Sequence, residues 1–220
     1  MEIQRTEEET VEHLKQWIRE NGLAIVLGVV IGLSGIGGVR YWFSYQKTQA
    51  EEASLIYDQL ASSLSAERYV DVLQQGKQLM DNYAGTPYSI LGAFAMAKAS
   101  LASGDAETAR DQLAWALKEA DDEAMQHIAR IRLTRLFIDA KDHAAALTLI
   151  TDTDQGAFGS LYEELRGDIY TMTDKLDQAR EAYRLALVSA KDSSRRQFLQ
   201  MKLDNLAVYI APAAPQETKQ

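Results

Sequence analysis

The sequence contains no cysteine, only three prolines and only three histidines. Without cysteine there are no disulfide staples, no thiol nucleophiles and no thiolate-based zinc site. The prolines are Pro87, Pro212 and Pro215, so little interrupts helical sequence along most of the chain. Continuous β-branched runs are missing after Thr48, where Ala, Leu, Glu, Gln, Lys and Arg dominate, and this predicts an all-α fold. His13, His127 and His143 make a poor metal set. His127 and His143 stand sixteen residues apart with no carboxylates at ligand spacing, which predicts solvated positions on helix surfaces. There is no Walker-type loop and no serine in a nucleophile elbow, so no enzyme activity and no cofactor are expected. Basic residues are also in deficit. The formal charge is -9, with 26 acids against 19 bases in residues 44–220, and such a domain gains little by releasing phosphate counterions. No nucleic acid is expected as a partner.

What the sequence does have is one long apolar run. Asn21 to Val39 is nineteen consecutive uncharged residues rich in Val, Ile, Leu and Gly. As a helix it would be about 28 Å long, close to the hydrocarbon thickness of a bilayer. Tyr41, Trp42 and Tyr45 follow, where amphipathic rings favour the headgroup zone. A cleaved signal peptide would need a short basic n-region, whereas residues 1–21 carry six acids against three bases. The expected organisation is a tail at 1–21, a transmembrane helix at 22–43, a helical domain at 44–210 and a disordered tail at 211–220. Gly28 and Gly32 are four apart, with Gly35 near the same face, a spacing that lets two membrane helices approach closely. Glycine is also simply common in membrane helices. Three bases before the helix and two after it barely decide orientation, although a short tail usually stays in the cytoplasm while the long domain is exported.

The soluble part repeats. Gly104-Asp105-Ala106-Glu107-Thr108-Ala109-Arg110 recurs as Lys141-Asp142-His143-Ala144-Ala145-Ala146-Leu147 and as Asp174-Lys175-Leu176-Asp177-Gln178-Ala179-Arg180. The alanines Ala109, Ala146 and Ala179 are 37 and then 33 residues apart, matching a tetratricopeptide-type helix pair with a small insertion in the second copy. Small residues are expected where the paired helices cross: Ala97, Thr134 and Gly167 on the first helix, and Ala116, Thr153 and Ala186 on the second. Leu113, Ile150 and Tyr183 fill the larger positions. Residues 48–65 and 67–83 read as an earlier helix pair, and residues 194–210 as a terminal helix with Phe198, Leu199, Leu203, Leu206 and Tyr209 on its apolar face. The first helix of each copy would line a groove. Its candidate residues are Leu91, Phe94 and Lys98 in the first copy, Ile131, Arg135 and Asp139 in the second, and Glu164 and Asp168 in the third. That mixture suits an extended chain or a partner's segment, and the apolar members could equally be core.

The order of features resembles a known family. Glu20-Asn21-Gly22, the anchor with Gly28 and Gly32, Arg40-Tyr41-Trp42, Leu165-Arg166-Gly167-Asp168 and Met201-Lys202-Leu203-Asp204-Asn205-Leu206 together look like the YfgM family, the ancillary subunit of the SecYEG translocon in Gram-negative bacteria. The resemblance implies an inner-membrane protein with a cytoplasmic N-terminus and a periplasmic repeat domain. It also implies association with the translocon and with a PpiD-type periplasmic chaperone, and a role in passing newly exported proteins to periplasmic chaperones. It carries over no catalytic residue.

Overall fold

A computed structural model describes residues 7–151 and 153–208 of the chain. The described residues contain nine α-helices and one short 3-10 turn, and no strand occurs among them. They are α1 (Glu7–Ser65), α2 (Tyr69–Asn82), α3 (Pro87–Ala102), α4 (Ala106–Glu119), α5 (Glu123–Asp139), α6 (His143–Ile150), α7 (Gly159–Met172), α8 (Leu176–Ser189) and α9 (Ser193–Val208). Two compact units meet between Glu52 and Ala53.

In the first unit, no described residue from elsewhere in the chain packs on the apolar stretch of α1. Val29, Val30, Ile31, Leu33 and Ile36 are all exposed, so this is not the core helix of a soluble fold. It is the one helix among the described residues long and apolar enough to cross a membrane. Beyond the adjoining residues and the helix's own backbone, no atom of the described residues lies within 4 Å of where a Cβ would stand on Gly28, Gly32 or Gly35, so that face is open. Trp42 and Tyr45 keep their rings 6.3 Å apart at the end of the stretch. The expected boundary near Phe43 is not marked by a break, because α1 runs on without interruption to Ser65. Residues 44–52 contain neither Gly nor Pro, and Lys47 and Glu51 pair at 3.6 Å one helical turn apart, so nothing local ends the helix.

The second unit is a stack of helix pairs: the end of α1 with α2, then α3 with α4, α5 with α6, and α7 with α8, followed by α9. Each described helix from α2 onward packs against the next along the chain, and α5 also touches α7. One turn geometry is used four times. Glu67, Gly104, Lys141 and Asp174 each take a positive φ, between 56° and 82°. In each turn the next residue's N–H reaches back to the carbonyl five residues earlier: Arg68 to Ser63, Asp105 to Ser100, Asp142 to Phe137 and Lys175 to Tyr170, at 2.8–2.9 Å. These bonds satisfy carbonyls that the ending helix leaves open. Asp105 and Asp142 then cap the second helix of their pairs, accepting from the N–H of Thr108 and Ala145. Hydrogen bonds from Thr108, through its side chain first and its backbone second, hold the Asp105 carboxyl below its ordinary pKa. Asp122 and Asp192 cap α5 and α9 in the same way.

The small residues sit where the repeat requires. Ala97 and Thr134 are buried at the first-helix crossings, and Ala109, Ala146, Ala179, Ala116 and Ala186 are fully buried on the second helices. Gly167 lies so close to the Tyr183 ring that a Cβ there would collide with it. Pro87 occupies the first turn of α3, where its missing N–H has no intrahelical partner to lose.

Three expectations are corrected. Thr153 is not a helix-crossing residue, because α6 stops after eight residues at Ile150. The insertion becomes a loop and a 3-10 turn, Gly156–Phe158, and the guanidinium of Arg166 donates to the Ile150 carbonyl at 3.1 Å, closing the shortened helix. His127 is buried rather than solvated: its Nδ1 lies 2.8 Å from the Tyr162 hydroxyl and its ring stacks on Phe158 at 4.7 Å. The face of α5 that carries His127 is turned to α7, which the sequence period alone does not reveal. His143 is half-buried, with its Nδ1 enclosed and without a hydrogen-bond partner among the described residues. Tyr209 and residues 211–220 lie outside the described residues.

Candidate functional site

The shared turn geometry gives every repeat a common register. Counting back six residues from the positive-φ position gives Ala61, Lys98, Arg135 and Asp168. Lys98 and Arg135 line the groove side of their helices and Asp168 meets α9, so three of the four register positions carry charge. The occupied and the open halves of that face differ in sign.

In the third repeat the face is closed by α9. Lys202 donates to Asp168 at 2.6 and 2.8 Å and to Glu164 at 2.8 Å, while Arg195 donates to the other Glu164 oxygen. The Tyr183 hydroxyl donates to Asp168 at 2.6 Å. Burial and, next, the adjoining Asp168 carboxylate push the Tyr183 phenol well above its ordinary pKa. Lys202 also lies 5.0 Å from the Phe198 ring centre and 5.7 Å from that of Tyr183. Glu164 is only 6% exposed, so this carboxylate is desolvated and depends on its two cations. Leu199 and Leu206 of α9 are buried over Ala179, Tyr183 and Ala186. Glu164 and Asp168 therefore hold the molecule's own terminal helix in place of an open groove.

In the first two repeats the face is open. A cavity of about 570 Å³ is bounded by Tyr57 and Leu64 of α1, by Leu91, Phe94, Lys98 and Leu101 of α3, and by Arg132, Arg135 and Asp139 of α5. Of the expected groove residues, Leu91, Phe94, Lys98, Arg135 and Asp139 come together here. Phe94 forms the floor at 7% exposure, whereas Leu101 stands 42% exposed on the wall. Ile131 is absent from it, being buried with Ile150, Tyr162 and Leu165 in the core between the second and third repeats. The sequence reading missed Arg132, whose guanidinium lies 4.6 Å from the Phe94 ring centre. Burial, and after it the nearby charge of Arg135, lowers the Arg132 pKa from its ordinary value. The signal for Arg132 was available in the register of caps, since it stands ten residues after Asp122 just as Lys202 stands ten after Asp192.

No group of three or more His, Asp or Glu side chains could hold a metal ion among the described residues. The cavity has an apolar floor with Lys98, Arg132, Arg135 and Asp139 at its edge.

The tetratricopeptide repeat-like domain family matches residues 15–208, taking in the apolar helix as well as the helix pairs. The chain belongs to that family. Among its relatives is the protein named ancillary SecYEG translocon subunit from Escherichia coli (strain K12), 27% identical over 94% of this chain and 100% of the relative. Proteins of the same name from Haemophilus influenzae and Neisseria gonorrhoeae are 27% and 26% identical, each over 91% of this chain and 97% of the relative. These relatives agree with the resemblance read from the anchor and the repeat motifs. No solved structure matches the chain.

Proposed function

We propose that this tetratricopeptide-like protein is a membrane-anchored interaction protein of the Sec translocon that passes newly exported proteins to periplasmic chaperones. In this reading residues 22–43 span the inner membrane, the N-terminus is cytoplasmic and the repeat domain is periplasmic. The partners are SecYEG, a PpiD-type chaperone and the exported chains. The observation that carries it is the pairing of one exposed apolar helix with an open groove on the repeats, in a chain whose full-length relatives are named as translocon subunits. A binding role suits the groove, whose floor is apolar and whose rim is charged. A photocrosslinker at Leu101 or Arg135 tests it, since both are exposed on the cavity wall; Phe94 is too buried to report on a visitor. Crosslinks to exported chains or to a periplasmic chaperone are expected. Adducts confined to unrelated abundant proteins would reject the client-binding role.

One observation favours a second reading, a scaffold that never touches clients. Among the described residues the Gly28, Gly32 and Gly35 face has no neighbour outside its own helix, and it is free to pack on another membrane helix. If Gly28→Leu with Gly32→Leu abolishes co-purification of the translocon while the groove captures nothing, the scaffold reading is the better one.

A further inference from the structure

The protein carries an internal precedent for how its groove positions are satisfied. At the third repeat, Asp168 receives Lys202, the residue ten positions after the cap of the following first-type helix. The equivalent pair at the first repeat is Lys98 with Arg132, again ten positions after a capping aspartate. Opposite charges meet at one end of the stack, and like charges line one cavity at the other. Arg135, at the same register position as Asp168, adds a third cation, against the single carboxylate of Asp139. Among the described residues none of the three cations is in an ion pair, in a chain whose net charge is -9. All three are exposed to water, so their mutual repulsion is mild, and a bound anion would relieve it.

We infer that the groove between α3 and α5 takes an extended segment of another protein carrying a carboxylate side chain beside aromatic or aliphatic residues. The carboxylate sits between Lys98, Arg132 and Arg135, and the apolar neighbours lie against Leu91, Phe94 and Leu101. The Arg132 guanidinium, 4.6 Å from the Phe94 ring centre, is the group suited to a two-pronged hydrogen bond with a carboxylate. The lowered Arg132 pKa agrees with partial desolvation beside Arg135. This inference deepens the client-binding reading above and rests on the same groove.

The test uses the full chain in dodecylmaltoside micelles and fluorescein-labelled, C-terminally amidated peptides: GLEFDLG, its neutral isostere GLQFNLG and the basic GLKFKLG. Anisotropy should show GLEFDLG binding about tenfold more tightly than GLQFNLG, the gain expected of one partly desolvated charge-assisted contact. Long-range attraction to an acidic protein would favour GLKFKLG, so an acidic preference has to come from the groove. Arg135→Glu with Lys98→Glu, both on exposed positions, should reverse the order of the acidic and basic peptides. Arg135→Gln should narrow the gap, with Lys98 and Arg132 still in place, and leave the GLQFNLG affinity unchanged. Equal binding of GLEFDLG and GLQFNLG, or an acidic preference that survives the charge reversal, overturns the inference. The two levels fail separately. Crosslinks to exported chains at Leu101 without acidic preference would leave the client role standing, and acidic preference without such crosslinks would leave only the ligand chemistry.

Discussion

At the scale of single residues, the four intra-repeat turns ask for the same left-handed backbone and receive four different side chains. Only Gly104 meets that demand without a steric cost; Glu67, Lys141 and Asp174 carry a Cβ into a region that disfavours it by about 1–2 kcal/mol. Replacing Lys141 with glycine relieves that strain and adds about 0.5–1 kcal/mol of backbone entropy to the unfolded chain. The expected result of Lys141→Gly is a gain of about 0.5 kcal/mol, read as a raised urea midpoint with unchanged slope. Gly167 is the opposite case. Its φ is ordinary, but the Tyr183 ring occupies the space of a Cβ, and the hydrogen bond from Tyr183 to Asp168 keeps that ring from swinging away. Gly167→Ala should therefore cost about 1–3 kcal/mol through overpacking, with the loss seen in the same urea titration. Were Gly167→Ala neutral, the close crossing of α7 and α8 would be wrong.

At the scale of elements, α9 is held by charge as well as by its apolar face. Phe198 and Met201 remain exposed, while Leu199 and Leu206 are buried and Arg195 and Lys202 reach two carboxylates on α7. Lys202→Met would leave Glu164 with Arg195 alone and Asp168 without an ion-pair partner among the described residues. The side chains are 8–28% exposed, so the cost is discounted from that of a fully buried pair to about 2 kcal/mol. Amide exchange should show it as faster exchange in α9, with α3 and α4 unchanged. Protection in α9 equal to the parent's would mean the apolar contacts suffice. The network also shows where sequence reading stops. The turns, the small crossings at Ala97, Thr134 and Gly167, and the helix pairs were legible because backbone geometry restricts residue choice there. The first pair escaped alignment with the other three because its sizes are inverted: Leu60, Val72 and Leu79 are large where the later copies are small, and Gly76 is small against Met96 of α3. Glu164, Asp168 and Ile131 were placed on the groove by register, but register cannot say whether a neighbouring helix already covers a position. His127 was misread for the same reason.

At the scale of the whole molecule, the open quantity is which side of the bilayer each end occupies. Arg5, Lys15 and Arg19 precede the apolar stretch and Arg40 and Lys47 follow it, so the balance that sets orientation is three against two. Acidic residues contribute little to it, and the glutamates of the tail do not cancel its bases. The proposed orientation should therefore be easy to disturb. The absence of cysteine makes the measurement clean, since a single cysteine introduced at the exposed position Lys118 is the only thiol in the chain. An impermeant maleimide applied to spheroplasts should label Lys118→Cys fully in the parent. With Lys15→Gln and Arg19→Gln added, one base faces two, and labelling should fall as part of the population inserts the other way. If instead the parent is labelled only after lysis, the repeat domain is cytoplasmic and a role for its groove in receiving exported chains is untenable. If the double substitution changes nothing, flanking charge does not set the orientation, and the length of the exported domain or an engaged partner must do so.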